Sequence, residues 1–402
     1  MSQKVVLAFS GGLDTSYCVL ALKKAGYEVI TYFVDTAGPG SAEASPEEVA
    51  ARAKELGAVD HHNIEASQRL WDGIVVPLIQ AGEWRQGRYP LLCADRYLIV
   101  EAGIELAKSV GAGAIAHGCT GMGNDQVRFD RSARALSDLE VLAPIRDIPA
   151  SVGNVRDYER GVLEDAGFAV PASQKRYTIN QNLLGTTFSG GEIDEWKKPD
   201  EAARSLTAAP ADWPRSAHSA VIAFDQGKAI SLNGQVLSGP ELLSRLNHDF
   251  GAYGVGFGTY TGDTLPGLKG RIAFEAPGLV VLEAAHRALE HAVLTAEQNA
   301  FKPVAAAKWA DLVYDGGYFD PLRAEIEAFI SATQARVHGA VTVETHGGRV
   351  DAVEVDSPMI LKSDTAVYAQ RAGWSGEEAQ GFTKLSGQSS ALWSEVGRKV
   401  TS

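Results

Sequence analysis

Seven residues near the start of the chain, Ser10-Gly11-Gly12-Leu13-Asp14-Thr15-Ser16, gather three hydroxyls, one carboxylate and two glycines. They follow Val5-Val6-Leu7-Ala8-Phe9, an apolar run that reads as a buried strand, and the glycines break it before a helix begins. A strand that stops in a glycine turn at a helix start brings free N–H groups and the positive end of the helix dipole together, which makes a site for an anion. Ser10, Thr15 and Ser16 add hydroxyl donors, and Gly11 and Gly12 let the main chain approach a ligand closely. The chemistry implied is phosphate binding. Asp14 stands out, because a carboxylate repels a triphosphate unless a cation intervenes; it reads as a helix-start residue or an outer partner of Mg2+. Neither Gly-x-x-x-x-Gly-Lys-Ser/Thr nor, at this turn, Gly-x-Gly-x-x-Gly occurs. The plainer alternative is a Gly-Gly turn before an ordinary capped helix.

A second polar stretch runs from His117 to Phe129, with three glycines in six residues and then Asn124, Asp125 and Arg128. With Thr120 it offers hydroxyl, amide, carboxylate and guanidinium, the groups an amino-acid ligand needs for its carboxylate, ammonium and carbonyl. A strand-to-helix turn capped by Asn124 or Asp125 is the plainer reading. His117 beside it is equally a phosphate contact or a satisfied structural histidine. His61-His62 and the pair His286 and His291, five apart on an expected helix, lack zinc spacing.

The elements that must hold these loops alternate. Helices are expected over 15–25, 46–56, 69–81, 94–110, 127–136 and 156–166, and strands near 27–34, 60–64, 114–117 and 140–143. Ser45-Pro46-Glu47-Glu48 is a strong helix start, with cap, proline and returning glutamate in place. This pattern predicts an α/β, doubly wound parallel sheet over 1–168, with ligands beyond the carboxyl ends of its strands. From about Pro171 hairpins replace crossovers, with strands over 219–224 and 228–232, Asn233-Gly234 as a further turn, and 340–344 pairing with 350–355 around Gly347-Gly348. Helices are expected over 240–246, 279–292, 305–314 and 321–333. An α+β domain over 169–370 follows, then a helical arm over 371–402 of the kind that docks on a neighbouring subunit.

Composition bounds the partners. The 402 residues are 45% apolar with no run long enough to span a membrane, and no signal peptide is expected before the first strand. Cys18, Cys93 and Cys119 stand apart, as suits a reducing cytoplasm. A net charge of −13 opposes a nucleic-acid partner.

The first loop resembles the PP-loop of the ATP pyrophosphatases. Joined with Thr120-Gly121-Met122-Gly123-Asn124-Asp125-Gln126-Val127-Arg128-Phe129, and with Gly87-Arg88-Tyr89, Ala143-Pro144-Ile145-Arg146, Tyr177-Thr178-Ile179-Asn180-Gln181-Asn182-Leu183, Phe274-Glu275-Ala276-Pro277 and Asp311-Leu312-Val313-Tyr314, it resembles the argininosuccinate synthase family over nearly the whole chain. The resemblance implies an ATP-dependent ligase of arginine biosynthesis, with a PP-loop domain, a synthetase and multimerisation domain, and a helical arm in a homotetramer. The ureido oxygen of citrulline attacks the α-phosphorus of ATP, pyrophosphate leaves, and the aspartate amine then displaces AMP. It also implies ATP contacts at Ala8, Phe9, Ser10, Gly11, Gly12, Leu13, Asp14, Thr15, Ser16, Val34 and Gly118, and aspartate contacts at Thr120, Asn124 and Asp125. Citrulline falls to Tyr89, Asn124, Arg128, Thr178 and Thr187. Catalysis falls to Ser10, Asp14, Asp125 and Arg128, with Mg2+ accompanying ATP.

The departures cluster on citrulline. Met122 replaces a lysine, Ala94 a serine and Phe274 a tyrosine, and Gly262 stands where a glutamate meets the α-amino group, with Asp263 as its expected substitute. An N-acylated citrulline, or another ureido acid, is the alternative substrate. A thiolating enzyme would want paired cysteines and a basic surface, an amidotransferase a glutaminase portion, and a non-catalytic ATP sensor would not need the set from Thr120 to Arg128.

Overall fold

Val5, Val6 and Leu7 are fully buried in the middle of β1 (Lys4–Ala8) of the computed structural model, which describes residues 3–38, 45–170, 176–368, 370 and 372–401. Around that strand the chain alternates as the apolar runs require, through α1 (Leu13–Lys24), β2 (Glu28–Asp35), α2 (Pro46–Glu55), β3 (Asp60–Glu65), α3 (Ser67–Leu70), α4 (Val76–Ala81), α5 (Asp95–Val110), β4 (Ala114–Ala116), α6 (Asp125–Leu136), β5 (Glu140–Leu142) and α7 (Val155–Asp165). The five strands are parallel in the order β3-β2-β1-β4-β5. That order reverses between β1 and β4, and a crevice for ligands opens at such a reversal.

Local chemistry explains the boundaries. Ser45 Oγ accepts from Glu48 N while Glu48 Oε2 accepts from Ser45 N, which fixes the start of α2. The helix expected over 69–81 is not uniform, because α3 and α4 are joined by a π turn over Trp71–Val75 just before Pro77.

The later part contains β6 (Thr178–Asn182), β7 (Gly185–Ser189), β8 (His218–Asp225), β9 (Lys228–Leu232), β10 (Gln235–Val236), α8 (Gly239–Gly251), β11 (Phe257–Asp263), β12 (Lys269–Glu275), α9 (Pro277–Val293), α10 (Ala296–Tyr314), α11 (Pro321–Thr333), β13 (Gly339–Thr345) and β14 (Asp351–Asp356). One antiparallel sheet, β10-β9-β8-β13-β14, contains the expected hairpins. The second, β11-β12-β7-β6, has no counterpart among the expected elements.

One apolar cluster spans both parts, from Trp71 and Tyr97 to Phe250 and Trp309. Residues 1–359 accordingly form one compact unit, and 360–402 a second. Residue 371, where the arm is expected to begin, lies outside the described residues. Within the second unit α12 (Gly376–Ser386) and α13 (Gln388–Thr401) expose Phe382, Leu385, Trp393 and Val396. No described helix is long and apolar enough to cross a membrane.

Candidate active site

β1 delivers Ser10 to the carboxyl edge of the parallel sheet, where the chain turns at Gly11 with φ of +76°, a left-handed conformation that a Cβ would strain. α1 starts just after Gly12, which offers no side-chain cap, and this leaves its first turn open to an anion. The Ser10 and Thr15 hydroxyls lie 3.4 Å apart on the exposed side. Ser16 corrects the sequence reading: it is buried and its hydroxyl donates to Gly11 O at 3.5 Å, so it braces the turn instead of facing outward. Phe9 and Val34 are buried in the core and have only main-chain atoms to offer, while Ala8 is half-buried where β1 ends. Gly118, following β4, lies against the loop, since a Cβ there would stand 3.1 Å from Thr15 Cγ2.

Asp14 has a neighbour that sequence reasoning missed. Glu159 of α7 is 1% exposed and neither carboxylate oxygen meets a hydrogen-bond partner. Burial first, and then the Asp14 charge, push its pKa up to about 8, so the group stays protonated well above the usual carboxylate range.

The second polar stretch forms a charged cluster at the start of α6. Asp125 Oδ1 accepts from Arg128 Nη1 at 2.7 Å and Asp125 Oδ2 from Arg96 Nε at 3.1 Å. Burial alone would raise the Asp125 carboxyl, yet Arg96 and Arg128 hold it down at about 2. Arg96 also forks onto Asp95 and donates to Asn180 Oδ1 at 3.0 Å. Arg96, Asp95 and Asn180 are therefore missed members, and the adjacent Asp95-Arg96 pair opening a long apolar helix was the available signal. Arg128 is 3% exposed and gives Nε and Nη2 to Tyr314 O at 3.1 and 2.8 Å. Asn124 donates to Tyr314 Oη at 3.1 Å and accepts from Leu265 N at 2.8 Å. Thr120 and Met122 lie exposed on the loop between.

The sheet absent from the sequence reading supplies the facing wall. Its register places Asn180, Thr187, Phe274 and Gly258 in one cross-strand row. Thr187 Oγ1 meets the phenol of buried Tyr89 at 3.3 Å, and exposed Thr178 accepts from Arg156 Nη2 at 3.2 Å. Tyr89 stacks on Tyr260 with centroids 5.3 Å apart and meets Phe274 and Tyr314 edge-on. Two glycines make room for those rings. A Cβ at Gly258 would fall 2.4 Å from Phe274 Cζ, and one at Gly262 would fall 2.1 Å from Tyr260 Oη.

Asp263 does not join this group. The β11 to β12 pairing runs without a slip, so Asp263 faces away from Gly262, half-exposed, with its carboxylate 2.5 Å from Lys269 Nζ. The one-residue shift needed for it to replace a glutamate is absent.

The geometry therefore unites an open anion loop, a cluster with both charges, and a wall that grades from amide and hydroxyl to aromatic ring. Sequence comparisons agree with it. The family model described as the arginosuccinate synthase N-terminal HUP domain matches residues 4–161, and that of the arginosuccinate synthase C-terminal domain matches 177–393. Argininosuccinate synthase of Xanthomonas campestris pv. campestris is 53% identical over 99% of this chain and 100% of its own length. That of Xylella fastidiosa is 53% identical over 100% of both, and that of Methanocaldococcus jannaschii 36% identical over 98% of both. With an ATP-type loop, an amino-acid cluster and likeness along its whole length, this chain belongs to the argininosuccinate synthase family of ATP-dependent ligases.

Proposed function

We propose that the chain joins citrulline to aspartate at the expense of ATP, giving argininosuccinate, AMP and pyrophosphate, as a step of arginine biosynthesis in the cytoplasm. The observation that carries this reading is the placement of two unlike sites at one sheet reversal: the uncapped start of α1 and, beside it, the Arg96-Asp125-Arg128 cluster. A ureido oxygen is a feeble nucleophile, so the protein contributes alignment and charge stabilisation. The loop from Ser10 to Thr15 holds the β- and γ-phosphates. The ureido oxygen forms its bond to the α-phosphorus as the bond to the bridging oxygen breaks and pyrophosphate departs with that electron pair. Asn124 and Asp125, with Thr120, receive aspartate, whose amine attacks the activated ureido carbon, loses a proton and expels AMP.

Mg2+ suits the donors present. It favours hard oxygen ligands, and the Asp14 carboxylate in the first turn of α1 provides negative charge next to the phosphate loop, whereas Glu159, raised to about 8, is largely neutral at pH 7. Asp14 would hold it, and its contribution would be neutralisation of pyrophosphate charge, which the exposed Met122 does not supply. The thiols of Cys18, Cys93 and Cys119 are pushed up by burial, the opposite of what a thiolating nucleophile requires. The apolar side chains that α12 and α13 expose support a homo-oligomer, a tetramer, which light scattering on the purified chain checks.

A coupled pyrophosphate assay with one substrate omitted at a time tests the reaction. Release with ATP, citrulline and aspartate together supports it; release that ignores citrulline sinks it. One observation favours a second substrate. With Asp263 turned outward and Gly262 covered by Tyr260, β11 presents no carboxylate to an ammonium, and an N-acylated citrulline has none to pair. Preferred turnover of N-acetylcitrulline over citrulline would establish that alternative.

A further inference from the structure

His117 is 2% exposed, and neither ring nitrogen is available to a ligand. Nδ1 accepts from Cys119 N at 3.1 Å, which assigns the ring hydrogen to Nε2, 2.9 Å from Asp130 Oδ1. Arg146 closes on the same carboxylate from the other side, with Nη1 2.9 Å from Oδ2 and Nη2 3.0 Å from Oδ1. Burial alone would raise the Asp130 carboxyl, but the hydrogen bonds from His117 and Arg146 hold it well below the usual range, so that carboxylate stays ionised. His117 itself reaches two further elements. Its N–H donates to Leu142 O at the end of β5, and its carbonyl accepts the Cys18 thiol of α1 at 4.0 Å.

Through its ring His117 thus ties the exit of β4 to α6, and through Asp130 to the turn at Arg146, while its main chain reaches α1 and β5. The next residue is Gly118, where a Cβ would stand 3.1 Å from Thr15 Cγ2, so the main chain there runs close beside the phosphate loop. Of the three side chains only His117 is fully buried, Asp130 being partly covered and Arg146 exposed, and what the set adds is a fixed direction for the chain at Gly118.

We propose that His117 is a positioning residue for ATP: gripped by Asp130 and Arg146, its ring orients the Cys119 N–H and thereby holds the Gly118 main chain against the phosphate loop. The inference rests on the ATP-ligase reading above, and it assigns the imidazole no contact with nucleotide.

Two substitutions separate the ring's two bonds. In His117→Gln the amide reaches the place of Nε2 and keeps Asp130 but loses the acceptor for Cys119. In His117→Asn the oxygen takes the place of Nδ1 and keeps Cys119. Calorimetric titration of the purified full-length protein with MgATP is expected to give a Kd about tenfold weaker for Gln, the loss of roughly one hydrogen bond. The Asn variant is expected within about threefold of wild type. The KM for ATP follows the Kd, while the KM for citrulline holds. Asp130→Asn, which leaves the ring in place but loosens its anchor, is expected to weaken ATP about threefold and decides the matter if His117→Gln does not fold. Wild-type ATP affinity in a folded His117→Gln, equal losses in Gln and Asn, or parallel losses for all three substrates overturn the proposal. Failure of wild-type protein to bind MgATP would sink the ligase reading instead, so the two failures are distinct.

Discussion

Two clusters of charge are sunk in this protein, and they differ in how completely they are closed. In the later part, Lys302 donates to both oxygens of Glu290 and to Gln80 O, Gln334 donates to Glu290, and His286 Nε2 sits 2.9 Å from Gln334 Oε1. All four residues are at most 4% exposed and satisfy one another. At the sheet reversal, Arg96, Asp125 and Arg128 are equally well bonded, but Asp125 remains about a third exposed, Ser10 faces outward, and Glu159 lacks any donor. Burial of charge alone therefore does not mark a site here. Unfilled bonding capacity at an open edge does.

The sharpest way to break that contrast is at Glu290. Glu290→Ala leaves Lys302 buried and unpaired, and a loss of about 3–5 kcal/mol is expected, read by urea unfolding, with turnover per folded molecule retained. At the open edge the pattern inverts. Ser10→Ala is expected to lower adenylate formation by about 10²–10³-fold, followed as pyrophosphate release, with unfolding midpoint held; wild-type turnover there, or in Asp14→Ala, means the nucleotide is misplaced.

Acid separates the clusters more gently. Burial holds the His286 pKa below the usual 6.5, so the folded state binds fewer protons than the unfolded one as pH falls past 6.5, and stability present above that pH is lost below it. Asp125 is depressed from 3.8 to about 2, so its contribution is present above 3.8 and lost only between those values. Hydrogen-exchange protection factors, corrected for the slower intrinsic exchange in acid, are expected to fall in α9 and α11 between pH 7 and pH 5 while those in α6 hold; equal loss in α6 would erase the distinction. The smallest effect is expected from Met122→Lys, which restores a cation on an exposed loop and should tighten MgATP by about threefold, seen as a KM that weakens again in high salt.

The strand, glycine turn and helix at Ser10 were legible because an unbroken apolar run followed by Gly-Gly has few other solutions, and Ser45 to Glu48 was legible because its capping bonds are local. The sheet built from β6, β7, β11 and β12 was not. Thr-Ile-Asn-Gln-Asn and Gly-Thr-Tyr-Thr-Gly carry little apolar contrast, and the two local hairpins they open become one sheet only through the long-range pairing of β7 with β12, Thr187 against Phe274. The site followed the same division. Asn124, Asp125 and Arg128 share one turn of helix and were found together, whereas Arg96, Asn180 and Glu159 reach the centre from separate elements. Asp263 was misjudged because the side a strand residue faces depends on register, which the sequence around it leaves open.

Gly258 and Gly262 extend the lesson to selectivity. Two aromatic rings lie in the room these positions leave, so the breadth of the amino-acid pocket is governed by missing methyl groups. One added carbon would tilt a ring without changing any charge or touching the phosphate grip. Preference among kindred ureido acids can therefore drift independently of the machinery that activates them.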